Sequence, residues 1–137
     1  FDNNDNDNDN GDKSEASRSV MIDKTFSVRD GQQLLIDVQH SDIEVQTRTG
    51  GDEARIIVRL EGRDWDKAVS RFEAMDFRVG QDGDRVWLRS EMPRMTNWRT
   101  RMSIQVVAII PARFDVDVQS THGDLEMEDL AGDLQLR

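Results

Sequence analysis

The stretch Phe114–Arg137, FDVDVQSTHGDLEMEDLAGDLQLR, decides the fold. Val116 and Val118 alternate with Asp115, Asp117 and Gln119. Leu125 and Met127 alternate with Asp124, Glu126 and Glu128, and Leu134 and Leu136 repeat the pattern. Alternation at period two puts apolar side chains on one face and polar ones on the other, which is the signature of a half-buried strand. Two Gly-Asp-Leu steps, at Gly123 and Gly132, restart the alternation after each break. The stretch therefore reads as strand, turn, strand, turn, strand. A repeat of this kind specifies architecture much better than chemistry.

Working upstream, an earlier copy appears. Ile36-Asp37-Val38-Gln39 matches Val116-Asp117-Val118-Gln119, and His40-Ser41-Asp42-Ile43-Glu44-Val45 matches His122-Gly123-Asp124-Leu125-Glu126-Met127. On this alignment the later copy carries two extra residues, Ser120 and Thr121, between its halves. The turns are assigned to His40, Asp42, His122, Gly123, Asp124, Gly132 and Asp133. Glycine at 123 permits positive φ, and an adjacent Asp can bond its own backbone.

Between the copies the period changes once. Strand alternation runs through Val20, Ile22, Phe26 and Val28, with Lys24 intruding, then Leu34–Val38, Ile43–Val45 and Ile56–Leu60. From Asp64 to Met75 the apolar residues fall at 65, 68, 69, 72 and 75, one face of a short amphipathic helix with Asp64 as N-cap. Its expected role is a lid on the core. Gln81-Asp82-Gly83-Asp84 then reads as a hairpin turn between Phe77–Val79 and Val86–Leu88. Met102–Ile110 adds Val107 and Ile109 on its second face, as a central strand does, and Pro111 ends it.

The fold expected is mainly β: a repeat-built, β-solenoid-like or two-sheet stack of short strands with one short amphipathic helix at about 64–75. The 137 residues suit one domain and one core. Residues 1–18 are an Asp/Asn-rich acidic tail, expected to be disordered because only Phe1 and Ala16 are apolar. An EF-hand calcium loop does not fit there. Placing Gly11 at loop position six puts Ser17, not Glu, at position twelve. Residues 19–137 form the β-repeat domain. It stops in mid-strand at Leu136-Arg137, so the domain is expected to be truncated and to self-associate through residues 125–137.

Charge and composition narrow the function classes. The formal net charge is −10, concentrated in the tail and in residues 114–137, which together leave no basic stripe for nucleic acid. Cysteine is absent, removing disulfides, thiolate metal sites and thiol nucleophiles. No apolar run approaches the ~20 residues of a membrane helix. The string His-x-Asp-x-Glu occurs at His40 and His122, but strand geometry spreads it along a wet face instead of converging three or four ligands, so no metal site is assigned. No nucleophile elbow, zinc-protease motif or phosphate loop is present, and no catalytic residue or cofactor is assigned. One basic and aromatic loop, with Arg94, Trp98, Arg99 and Arg101, is the ligand surface the sequence offers. A Trp among arginines can stack on a sugar ring or grip an anionic polymer.

Taken together, Ile109-Ile110-Pro111-Ala112 leading into Phe114–Val118, then Ser120-Thr121-His122-Gly123-Asp124-Leu125, then Leu130-Ala131-Gly132-Asp133-Leu134 resemble the putative-adhesin, or β-strand-repeat, family of bacterial envelope proteins. The resemblance spans roughly residues 20–137 and rests on short motifs. It implies an extracytoplasmic setting, periplasmic or at the cell surface, and brings no catalytic residues. The function expected is a non-enzymatic envelope β-repeat module, adhesin-like or structural, whose partner would be a cell-surface polymer or another envelope protein. The alternatives are a sensory or regulatory module of envelope stress and, more weakly, a carbohydrate-active β-helix enzyme. The enzyme would need a converging acid pair in a groove.

Overall fold

Residues 17–48, 51–91, 102–121, 123–127, 132 and 134–136 are described by the computed structural model. In chain order they form β1 (Ser17–Ser27), β2 (Gln33–Gln39), β3 (Asp42–Arg48), β4 (Glu53–Gly62), α1 (Trp65–Ala74), β5 (Arg78–Asp82), β6 (Arg85–Arg89), β7 (Met102–Pro111), β8 (Asp115–Thr121), β9 (Leu125–Met127) and β10 (Leu134–Leu136). Strand β1 thus begins two residues inside the span read as tail. Sheet I has the order β9-β3-β7-β4-β1 and sheet II the order β10-β8-β2-β6-β5.

Both sheets are mixed. Pairs β9–β3, β3–β7, β10–β8, β8–β2 and β2–β6 are parallel, while β7–β4, β4–β1 and β6–β5 are antiparallel. Parallel neighbours cannot be joined by a tight hairpin and usually need a helical crossover. Here short turns after β2, β7 and β8 carry the chain into the opposite sheet instead. Of the two stackings the repeat allows, this is the two-sheet one.

Inward residues of both sheets meet in one core. Leu34, Ile36, Val38, Val86, Leu88, Val116 and Val118 come from sheet II, facing Ile43, Val45, Ile56, Val58, Leu60, Ile104, Val106, Ala108 and Ile110 from sheet I. Strand β7 is the middle strand of sheet I, and Val107 on its outer face is buried as well, beside the buried Ile57 of β4. That double coverage is what its two-faced apolar pattern predicts.

Helix α1 follows the sequence closely. The Asp64 carboxylate accepts a hydrogen bond from the Lys67 N–H at 3.3 Å, and Ala68, Phe72 and Met75 are buried in the shared core. The helix leaves β4 of sheet I and delivers the chain to β5 at the edge of sheet II, so it closes that end of the stack. Phe72 stacks on Phe77, with ring centroids 4.8 Å apart. The hairpin turn before β6 has Gly83 at φ +53°, and the Arg29-Asp30-Gly31 turn has Gly31 at φ +85°. Both require the left-handed region that glycine reaches without strain.

Three expectations are corrected. The repeat has no insertion: β8 lies on β2 with Val116 beside Leu34 and Val118 beside Ile36, and β9 lies on β3 with Leu125 beside Ile43. One offset of 82 residues, the separation of Asp42 and Asp124, serves the whole unit. Sliding the first half by two residues keeps every side chain on its face, so alternation alone could not detect the error. Secondly, Val20 is not on the core face. A bulge between Val20 and Ile22 sets Val20 opposite Arg59 and Ile22 opposite Val58, leaving Val20 half exposed. Lys24 lies opposite the inward-facing Ile56 on this edge strand and is itself exposed, as the intruder in the pattern suggests. Thirdly, Gly123 does not occupy the left-handed region; among the turn residues His40 does, at φ 50°. Gly123 is needed because its turn sits directly on the turn of the preceding layer. A Cβ there would overlap the Ser41 carbonyl oxygen and lie 2.7 Å from the Ser41 carbonyl carbon. Gly132 repeats the device against the Phe114 carbonyl.

Candidate functional site

The turns that restart each layer also build the edge of an open groove. At the β2–β3 turn the Ser41 hydroxyl donates to the Gln39 carbonyl at 2.9 Å. The Gln39 N–H donates to the Ser90 hydroxyl at 3.0 Å. Asp42 Oδ1 accepts from the Asp124 N–H at 2.9 Å, and the Ile43 N–H returns a bond to the Asp124 carbonyl at 2.8 Å. Asp42 and Asp124 thus tie successive turns together, satisfying backbone donors that a bend in the chain leaves without a ladder partner.

Beside this stitching lies a groove of about 630 Å3 against sheet I. One wall carries Asp42, Glu44, Asp124 and Glu126 from the β3–β9 side, and the other carries Arg18 and Arg59 from β1 and β4. Ser103 and Gln105 of β7 lie between them. The groove is therefore dipolar across its width. Two of these acids are engaged: Asp42 holds the Asp124 N–H, and Glu44 accepts from Gln46 Nε2 at 2.8 Å. Arg18 reaches Glu61 at 3.8 Å. Further along the same outer face Arg55 grips Asp23 through two hydrogen bonds of 2.6 and 2.9 Å. That contact holds the Asp23 carboxyl below its ordinary value and raises the Arg55 guanidinium.

The outer face of sheet II carries a second constellation that the sequence reading missed. In Arg85-Val86-Trp87-Leu88-Arg89 the alternation was used only for Val86 and Leu88. The opposite phase puts Arg85, Trp87 and Arg89 in one stripe on the wet face. The indole of Trp87 lies across β5 in the space a side chain at Gly80 would take: a Cβ there would be 2.6 Å from Trp87 Cζ2. The Arg89 guanidinium sits over the ring, 5.1 Å from its centroid. The signal was available, since a tryptophan between two arginines at period two on a solvent face has no core to serve.

Of the turn residues named from sequence, the structure brings His40, Asp42, Gly123 and Asp124 together at adjoining turns and sets Gly132 over Phe114. Arg94, Trp98, Arg99, Arg101, His122 and Asp133 lie outside the described residues. Among the described residues no group of three His, Cys, Asp or Glu side chains could hold a metal ion, and no helix is long and apolar enough to cross a membrane.

No protein-family model matches the chain, and no curated protein does. Two solved structures are similar in outline. One is a putative adhesin from Bacteroides fragilis, 14% identical, with a TM-score of 0.34 over 90% of this chain and 53% of that one. The other is a putative lipid binding protein from Parabacteroides distasonis, 10% identical, with a TM-score of 0.39 over 90% of this chain and 60% of that one. The chain thus spans little more than half the length of either, and likenesses this remote carry no functional argument.

Proposed function

We propose that the chain is a non-enzymatic β-repeat module of a bacterial cell envelope, working outside the cytoplasm through surface interaction. The observation that supports this reading most directly is the employment of the acids at the turns. The Asp42 carboxylate joins one layer to the next by holding the Asp124 N–H, and the Glu44 carboxylate is held by Gln46, so two of the four acids on the groove's acidic wall are engaged within the module. A glycoside hydrolase instead needs two carboxyl groups left to flank a substrate at a set separation. The product of such construction is a rigid two-sheet body whose broad outer faces are rows of polar side chains, suited to contact with a polymer or another envelope protein.

The test is retention of the purified protein on envelope fragments of its source organism, alongside turnover assays on glycosidic, ester and phosphoester substrates. Saturable retention without turnover is expected. Turnover abolished by Glu44→Gln or Asp42→Asn in a folded variant would overturn the non-enzymatic reading, and absence of retention would overturn the envelope reading.

A further inference from the structure

We propose that the outer face of sheet II is a glycan-binding platform centred on Trp87, taking a neutral sugar residue of a surface polysaccharide. The proposal deepens the envelope reading and rests on it. It starts from the placement of Trp87. This indole belongs to no core cluster, occupies the space a side chain at Gly80 would take, and is flanked along its own strand by Arg85 and Arg89. Any larger residue at position 80 would evict the ring, so the pair Gly80–Trp87 functions as one unit.

Strand register supplies the surroundings. Trp87 lies beside Leu35, which lies beside Asp117. The row on one side runs Asp115, Gln33, Arg85, Asp82, and the row on the other runs Gln119, Asp37, Arg89, Arg78. Each row lies two residues, about 7 Å along the strands, from the Trp87 row, within reach of the substituents of a sugar ring stacked on the indole. The aromatic face is electron-rich and packs well against the weakly positive C–H face of a pyranose. Among the flanking groups Arg78 is held by Asp76 and Arg85 donates to Gln33 at 3.4 Å, so the Arg89 guanidinium, planar and with paired donors, is the group best placed to meet neighbouring hydroxyls.

Two details favour a ligand over a purely structural role. Arg89 makes no ion pair among the described residues, and at 5.1 Å from the centroid its guanidinium makes a cation–π contact, which is weak at an exposed site. It can therefore turn from the ring to a hydroxyl. Trp87 Nε1 is buried without a hydrogen-bond acceptor, a cost a purely structural tryptophan seldom carries, and, being buried, it leaves stacking as what the ring offers a sugar. The choice of a neutral sugar follows from charge. Asp37, Asp115 and Asp117 share the face with the arginines, in a chain of net charge −10, so a polyanion would be repelled. A protein partner would want an apolar centre within a polar rim, whereas here one aromatic ring lies among polar rows.

The experiment is binding of soluble neutral and acidic oligosaccharides to the full chain, by glycan array and then calorimetry, with melting curves for every variant. Neutral oligosaccharides should bind in the micromolar to millimolar range. Trp87→Ala should weaken binding by at least about tenfold, as loss of a stacking platform does. Trp87→Phe should lose less, Arg89→Gln severalfold, and Lys67→Ala on α1 nothing. Gly80→Ala keeps every polar group while displacing the indole, so it should behave like Trp87→Ala and serves if that variant fails to fold. The platform is overturned if no neutral oligosaccharide binds, if binding ignores Arg89→Gln and Gly80→Ala, or if acidic glycans are preferred. Retention on envelope fragments without glycan binding would sink the platform alone, whereas loss of both would sink the envelope reading too.

Discussion

The two ends of the stack are made from the same alternating strands and finish in opposite ways. At the end formed by β4, β1, β5 and β6, neighbours pair antiparallel over long registers, and α1 lays Ala68, Phe72 and Met75 over the core. At the other end β9 and β10 are three-residue strands paired in parallel on one side, and Leu134 and Leu136 are 42% and 58% exposed. Period two sets which face of a strand is apolar, but it does not cover that face. A helix with a period of its own was needed to close one end.

The difference should appear first in truncations. Phe72→Ala removes a ring buried at the closed end and should cost about 3–5 kcal/mol, while Leu136→Ser at the open end should change stability by no more than about 0.5 kcal/mol. Chemical denaturation of the two variants checks this. Equal losses would mean that the two ends are equally covered.

Between the ends, the joints depend on close approach. Gly123→Val forces a side chain into the Ser41 carbonyl and should cost about 1–3 kcal/mol, since backbone cannot step aside as a rotamer can. Gly132→Val meets the same obstacle at Phe114 but should cost less, because β10, the described strand beside that joint, pairs over three residues. If Gly123→Val were neutral, the layers would not stack turn on turn.

A smaller effect concerns association. The exposed leucines of β10 should give weak self-association that rises with salt, as screening relieves the repulsion between acidic repeats. Sedimentation at low and high salt should show it, and Leu134→Lys with Leu136→Lys should abolish it. Association unaffected by that double substitution would place the contact elsewhere.

The smallest effect is electrostatic. Because Arg55 lowers the Asp23 pKa in the folded state, the pair adds stability above pH ~3.8, the ordinary carboxyl value, and loses it as pH falls through the lowered one. Both side chains are nearly half exposed, so Arg55→Gln should lower stability only slightly above pH ~3.8, the ordinary carboxyl value, and the difference should close as pH falls through the lowered one. A difference that persists undiminished at the lowest pH would contradict the assignment.

These contrasts also mark what the chain disclosed in advance. Strand faces, the helix with its Asp64 cap, the hairpin at Gly83 and the central position of β7 were legible because each is a local pattern. Register was not, since a slide of two residues leaves every face unchanged. Nor was the bulge after Val20, which reverses a face within an apolar run. Gly123 was recognised as obligatory for the wrong reason: positive φ and close approach both select glycine, and only the position of Ser41 separates them. Trp87 was not legible as a site because the alternation of β6 marks only Val86 and Leu88 as core, and the wet phase carries no signal of what gathers on it from the neighbouring strands.

Native-state amide hydrogen exchange in dilute solution tests most directly the claim that one end is closed and the other open. Amides of Val106 and Ala108 in β7, Val58 in β4 and Phe72 in α1 should exchange only through large openings. Those of Leu125–Met127 and Leu134–Leu136 should exchange orders of magnitude faster through local fraying. Protection extending undiminished through β9 and β10 in the monomer would contradict the account.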